Sequence, residues 1–203
     1  MPEQSSMHSY LSWTKERIDE MDATLASLEA MAGQVKADSK AKAEQLAADL
    51  RKRRDEFQTK VEAQAQAGED AMQASAAQLE SQWHSFEAQL KAYFETVGKQ
   101  VAQQQATFQQ VAAAQAKAWG ESADKLHAEA GKVATAKRAD IDAALEQMRT
   151  EAAEAEARLQ KLRQAGSDSW VALSAGLAEA RKAFDRANQE AWEAFKRAAP
   201  RKS

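Results

Sequence analysis

The chain carries proline only at Pro2 and Pro200, so no residue between them lacks its backbone N–H donor. An interior proline costs a helix about 3 kcal/mol by removing a hydrogen bond and crowding the preceding turn; here helices can run without that interruption. Alanine is the commonest residue, and together with Glu, Lys, Leu and Arg it makes up more than half of the chain, the composition of long helices and coiled coils. Leu, Ile, Val and Phe are too sparse for a thick globular core, while a formal net charge of -3 is too small to enforce disorder by repulsion. The fold class expected is all-α, an elongated helical bundle or antiparallel coiled coil of long amphipathic helices with thin, alanine-lined seams.

The apolar period supports that expectation in three stretches. Leu11, Thr14, Ile18, Met21, Leu25, Leu28, Ala32 and Val35 alternate steps of three and four, a heptad seam with one polar slip at Thr14. From Leu46 the steps alternate four and seven, through Leu50, Phe57, Val61, Gly68, Met72, Leu79, Trp83, Leu90, Phe94 and Val101. Such an 11-residue repeat keeps one stripe facing a partner with little supercoil. Heptads return at Ile141, Leu145, Met148, Ala152, Ala155, Leu159 and Leu162, and again at Trp170, Leu173, Leu177, Ala180 and Phe184.

Displacing the chain against itself by 98 residues aligns Leu28 with Leu126, Gly33 with Gly131, Arg51 with Arg149 and Gln66-Ala67-Gly68 with Gln164-Ala165-Gly166. The same offset aligns Asp70 with Asp168, Met72 with Trp170, Leu79 with Leu177, Phe86 with Phe184 and Phe94 with Trp192. This reads as an internal duplication, with a first helical unit over 1–98 and a second over 99–203. Alanine-rich heptads match themselves at any multiple of seven, but the paired Gly-x-Asp spacings are not required by a seam. Glycine costs a helix interior about 1 kcal/mol and suits the position just past a helix end. Breaks are therefore expected at 66–70 and 165–169. Gly33 and Gly131 read as turns or as close contacts within continuing helices, and Gly98 lies near the unit boundary. Ser122 is a possible cap after Gly120.

Several functional classes are disfavoured. With no cysteine, the chain has no disulfide framework, thiolate metal site or cysteine nucleophile, which suits a reducing, cytoplasmic compartment. The opening MPEQSSMHSYLSW has no basic region leading into an apolar run and does not read as a secretory signal. No window is apolar enough for a membrane span, although helices can still lie on a membrane. Neither a glycine-rich phosphate loop nor a nucleophile elbow is present, and no carboxylates pair as acid and base; a non-enzyme without cofactors is expected.

His8, His84 and His127 are the only histidines; Glu80 and Glu87 stand near His84, and Asp124 near His127. A di-metal bundle needs two Glu-x-x-His units and further facing glutamates, so no metal site is assigned. Arg51-Lys52-Arg53-Arg54 is the densest basic run, but Asp49, Asp55 and Glu56 offset its field, which argues against nucleic acid as a partner. The candidate interaction surface is the bulky set Trp83, Phe86, Leu90, Phe94, Trp170, Phe184, Trp192 and Phe195. Aromatic residues at helical spacing usually fill a seam; the same residues can anchor at an interface, and Lys196, Arg197, Arg201 and Lys202 beside Trp192 and Phe195 suit that second role.

The stretch RLQKLRQAGSDSWVALSAGLAEARKAFDRA, Arg158 to Ala187, joins Ala-Gly-x-Asp to an amphipathic helix bearing Trp170, Leu173 and Phe184. It resembles a family of small bacterial coiled-coil stress-response proteins, over residues 137 to 198 and more weakly over 10 to 97, where Met72 replaces the tryptophan. The resemblance implies an all-helical, non-enzymatic, stress-associated protein. QVAQQQATFQQVAAAQAKAW, 100 to 119, is similar to the Gln- and Ala-rich helices of phasins, which coat polyester granules, and the 11-residue period is similar to that of exchangeable apolipoproteins. Two functions follow as expectations: a coiled-coil scaffold or helper that binds partner helices or associates with itself, and an amphipathic coat of lipid or granule surfaces.

Overall fold

The computed structural model describes residues 2–33, 37–97, 101–133, 138–164 and 170–198. Among them are six helices and no strand: α1 (Pro2–Ala32), α2 (Ala37–Ala67), α3 (Glu69–Val97), α4 (Val101–Ala130), α5 (Ala139–Gln164) and α6 (Trp170–Ala198). The fold is an all-α bundle. At 1.5 Å rise per residue, helices of 26 to 31 residues are about 39–47 Å long. No described helix is long and apolar enough to cross a membrane.

The chain reverses where its glycines lead. Between α2 and α3 the only non-helical residue is Gly68, whose φ of 101° lies in the left-handed region. Its N–H donates to the Gln64 carbonyl at 3.1 Å, and its own carbonyl accepts from the Met72 N–H at 3.2 Å, so both flanking turns keep their bonds through the reversal. Glu69 and Asp70 then place negative charge in the first turn of α3, where the helix dipole favours it. Gly33 and Gly131 fall just after α1 and α4 as turn residues, whereas Gly120 lies within the uninterrupted α4. The break expected at 165–169 lies outside the described residues.

The stripes read from the sequence point inward. Met21, Leu25 and Leu28 of α1, Leu50, Phe57 and Val61 of α2, and Met72, Leu79, Trp83, Leu90 and Phe94 of α3 are all buried. So are Ile141, Leu145, Met148 and Leu159 of α5 and Leu173, Leu177 and Phe184 of α6. The bulky apolar pairs Leu28 with Leu126, Met72 with Trp170, Leu79 with Leu177, Phe86 with Phe184 and Phe94 with Trp192, matched across the 98-residue offset, are buried at both places, whereas Gly33 with Gly131 and Arg51 with Arg149 are exposed at both.

The helices form two runs of three whose surroundings differ. α1 touches α2, α3, α4 and α6, and is the helix around which the bundle is built. α6 packs on α1, α4 and α5, most extensively on α5, where Gly176 lets the Leu162 side chain come close. α3 instead leans on α2, with lesser contact to α1 and α6. α1 and α4 run antiparallel, as do α3 and α6, to judge from the pairs Ser27–Thr107 and Glu20–Gln115, and Phe94–Trp170 and Glu87–Arg181.

The Gly68→Ala variant tests the α2–α3 reversal. A Cβ there meets nothing within 4 Å, so its cost is conformational and not steric. Urea denaturation should register a loss of about 1–2 kcal/mol, the cost of holding an L-residue in the left-handed region. A neutral or stabilising effect would contradict the reversal.

Candidate functional site

α1 carries a second stripe beside its apolar one. Trp13, Arg17, Glu20, Thr24, Ser27 and Met31 recur at steps of four and three, a heptad seam whose four middle members are polar. All four are buried. Burial of such groups is tolerable only with partners, and the neighbouring helices supply them. Ser27 and Thr107 share a hydrogen bond of 2.7 Å, and the Gln115 amide donates to Glu20 and to the Leu177 carbonyl, both at 3.1 Å. Ser122 donates to Asn188 at 3.0 Å, and Asn188 in turn donates to the Ser9 carbonyl at 3.1 Å.

At the centre two guanidiniums clamp α1, α3 and α6 together. Arg181 grips Glu20 with two donors, Nε at 3.1 Å and Nη2 at 2.7 Å, and reaches Glu87 of α3 with Nη1 at 2.9 Å. Arg17 grips Asp185 of α6 at 3.0 and 2.6 Å and also touches Glu16. Each guanidinium lies over an indole, Arg17 over Trp13 at 4.8 Å and Arg181 over Trp83 at 4.6 Å. Paired charges and a π face replace the water each cation has lost. The carboxylates raise the Arg181 pKa further despite its burial, so it stays charged. Burial pushes the Asp185 carboxyl upward, with Arg17 opposing.

This junction separates two cavities along the line between α3 and α6. The first, about 370 Å³, is walled by Trp83, Phe86 and Leu90 of α3 and by Trp170, Val171 and Leu177 of α6, with Glu20 and Arg181 at its floor. The second, about 420 Å³, is bordered by Tyr10, Trp13, Trp192, Glu80 and Asp185. Six of the eight residues singled out in the sequence lie on this line. Trp83, Phe86, Leu90 and Trp170 wall the first cavity, Phe94 packs on Trp170 with ring centroids 4.5 Å apart and the planes tilted by 38°, and Trp192 borders the second. Phe195 is half-buried against Trp192 at 5.6 Å, whereas Phe184 lies against Trp119 of α4 at 5.1 Å. Seven of the eight are buried in the closed bundle; Val171, 52% exposed, is the large hydrophobic side chain that faces solvent among the described residues.

The remaining motifs are absorbed elsewhere. Arg54 pairs with Asp22 of α1 at 2.7 and 2.9 Å, Arg51 pairs with Glu29, and Arg53 donates to Ser85 at 3.0 Å, so three of the four basic residues join α2 to its neighbours. His84 faces Glu87 at 3.2 Å and Glu80 at 3.8 Å. Among the described residues no three His, Asp or Glu side chains converge as metal ligands. His8 stacks on Trp192 at 4.8 Å, and burial lowers its pKa. No known protein family, curated protein or solved structure matches this chain.

Arg181→Met leaves the fully enclosed Glu20 without its cation. Denaturant unfolding should show a loss of about 3–5 kcal/mol, the usual cost of breaking a buried pair from one side. The double variant Glu20→Gln/Arg181→Met should regain at least half of that; an equal loss in both would contradict the pairing.

Proposed function

We propose that the chain is a non-enzymatic helical scaffold or helper, and that the cleft between α3 and α6 receives an amphipathic helix from a protein partner or from a second copy. The observation that carries this reading is the cleft itself. Its walls are Trp83, Phe86, Leu90, Trp170 and Leu177, large groups of the kind that anchor helix recognition, and Val171 stands exposed at its border. Polar chemistry in the cleft is spent on holding helices together, since both Glu20 and Glu87 are engaged by Arg181. The likeness of residues 158–187 to coiled-coil stress-response proteins supports a stress-associated role, and the absence of cysteine suits a cytoplasmic one.

The competing reading, an amphipathic coat of lipid or granules, draws on the same wall. It requires α3 to leave the bundle and place Trp83, Phe86, Leu90 and Phe94 at an interface. α3 has the contacts for that, being held mainly by α2, with lesser contact to α1 and α6 that includes the reach of Arg181 to Glu87 and Trp83.

A photo-crosslinker at position 171 distinguishes the two, with sedimentation and vesicle flotation on the same protein. The scaffold reading expects crosslinks to a helix of a partner or second copy, association weakened at least about tenfold by Val171→Glu at unchanged helicity, and tryptophan emission indifferent to vesicles. A tenfold change corresponds to about 1.4 kcal/mol, within the range of losing one anchor. A monomer that crosslinks to nothing, with emission shifted to the blue on vesicles or polyester particles, would overturn the scaffold in favour of the coat.

A further inference from the structure

The clamp of α1, α3 and α6 has more carboxylates than cations. Glu16 and Glu20 come from α1, Glu87 from α3 and Asp185 from α6, against the guanidiniums of Arg17 and Arg181. The pairing assigns the cations. Arg181 is taken by Glu20 and Glu87, and both terminal nitrogens of Arg17 are taken by Asp185. Two acids are left with only a share of a cation. Glu87 is 34% exposed, so water carries part of its charge. Glu16 is 0% exposed, touches only the Arg17 nitrogen already given to Asp185, and has no hydrogen-bond partner for its Oε1 among the described residues. An ionised carboxylate so placed has neither water nor a cation of its own, and a proton is the simplest compensation.

We propose that the junction of α1, α3 and α6 is a proton-operated latch, closed while Glu16 is a neutral acid and loosened when rising pH removes its proton. The charges that act on Glu16 are Arg17 and Glu20 on its own helix and Arg181 and Asp185 on α6. Glu87 of α3 reaches the group through Arg181, and α4 presents the neutral amide of Gln115 to Glu20. Burial holds the Glu16 carboxyl well above the ordinary carboxylate range; Arg17 only partly offsets this, and Glu20 and Asp185 push the same way. A carboxyl raised on folding contributes stability that is complete below the ordinary glutamate value of about 4.3 and is lost as pH rises through the elevated folded value. Charging Glu16 places a third anion beside Asp185 and Glu20, and the contacts that yield are those of α6 and α3 with α1. The walls of the cleft, Trp83, Phe86 and Trp170, then separate. This rests on the junction alone and holds whichever occupant the cleft receives.

His8 titrates in the opposite sense. Burial and Lys125 lower its pKa, so its contribution is present above about 6.5 and lost as pH falls. The informative quantity is therefore the difference between the wild-type chain and Glu16→Gln, which keeps the shape and an acceptor for Arg17. Thermal unfolding followed by circular dichroism from about pH 5 to about pH 9 should show the wild type losing stability relative to E16Q as pH rises. An apolar dye should bind the wild type increasingly at high pH and E16Q far less. In infrared spectra of protein labelled with 13C-carboxyl glutamate, a protonated carboxyl band should persist at neutral pH in the wild type and be missing in E16Q. Parallel pH profiles for the two proteins, or no protonated band at neutral pH, would overturn the latch. Should E16Q not fold, the wild-type band decides: titration in step with the loss of stability supports the proposal, and absence at neutral pH refutes it.

Discussion

Arg181 binds three helices at once, and the arrangement of this bundle depends on that contact. Its Nε and Nη2 take Glu20 on α1, its Nη1 takes Glu87 on α3, and its plane lies over Trp83. Alanine-lined seams tolerate sliding because one methyl is much like the next, and apolar packing alone would leave the register of α6 against α1 poorly specified. A bidentate pair is satisfied in one register only. Arg17 repeats the device one turn away with Asp185, which fixes rotation as well as translation. The cost is a desolvated charge cluster that contributes little net stability.

That economy explains the unequal placing of the two halves. α6 reaches α1, α4 and α5, while α3 is left leaning on α2 with a cleft beside it. Large aromatic groups line the cleft beside Leu90, Leu177 and Val171. A helix held by few contacts next to an apolar wall opens at lower free energy than the rest of the bundle. Scaffold and coat readings both draw on this local weakness, and they differ in what meets the wall once it is uncovered.

Much of the fold was legible in the sequence. The all-helical class, the inward stripes and the reversal at Gly68 follow from proline placement, apolar period and glycine spacing, since each is a local property of the chain. The 11-residue stripe runs through Gly68 without losing phase, so α2 and α3 present the same kind of face to the interior. What the sequence concealed was the polar junction. Arg17, Glu20, Thr24 and Ser27 look like a solvated helix face, and the clue was that Trp13 and Met31 bound them at heptad spacing. On α6 the sign was similar, Arg181 and Asn188 falling between Leu177, Phe184 and Trp192. Their partners lie up to 168 residues away, and no periodicity announces a contact at that distance. The basic run at 51–54 was readable as locally compensated, but its main anions, Asp22 and Glu29, come from α1.

Native-state hydrogen exchange, resolved helix by helix, tests most directly the claim that the bundle is assembled around α1 and that α3 is its detachable member. The account predicts slowest exchange in α1, despite its polar second stripe, and in the stretch of α6 around Arg181. It predicts faster exchange along α3, through an opening that does not unfold α1 and that Arg181→Met makes more frequent. Exchange of α3 as slow as that of α1, with all six helices opening in one global event, would contradict it.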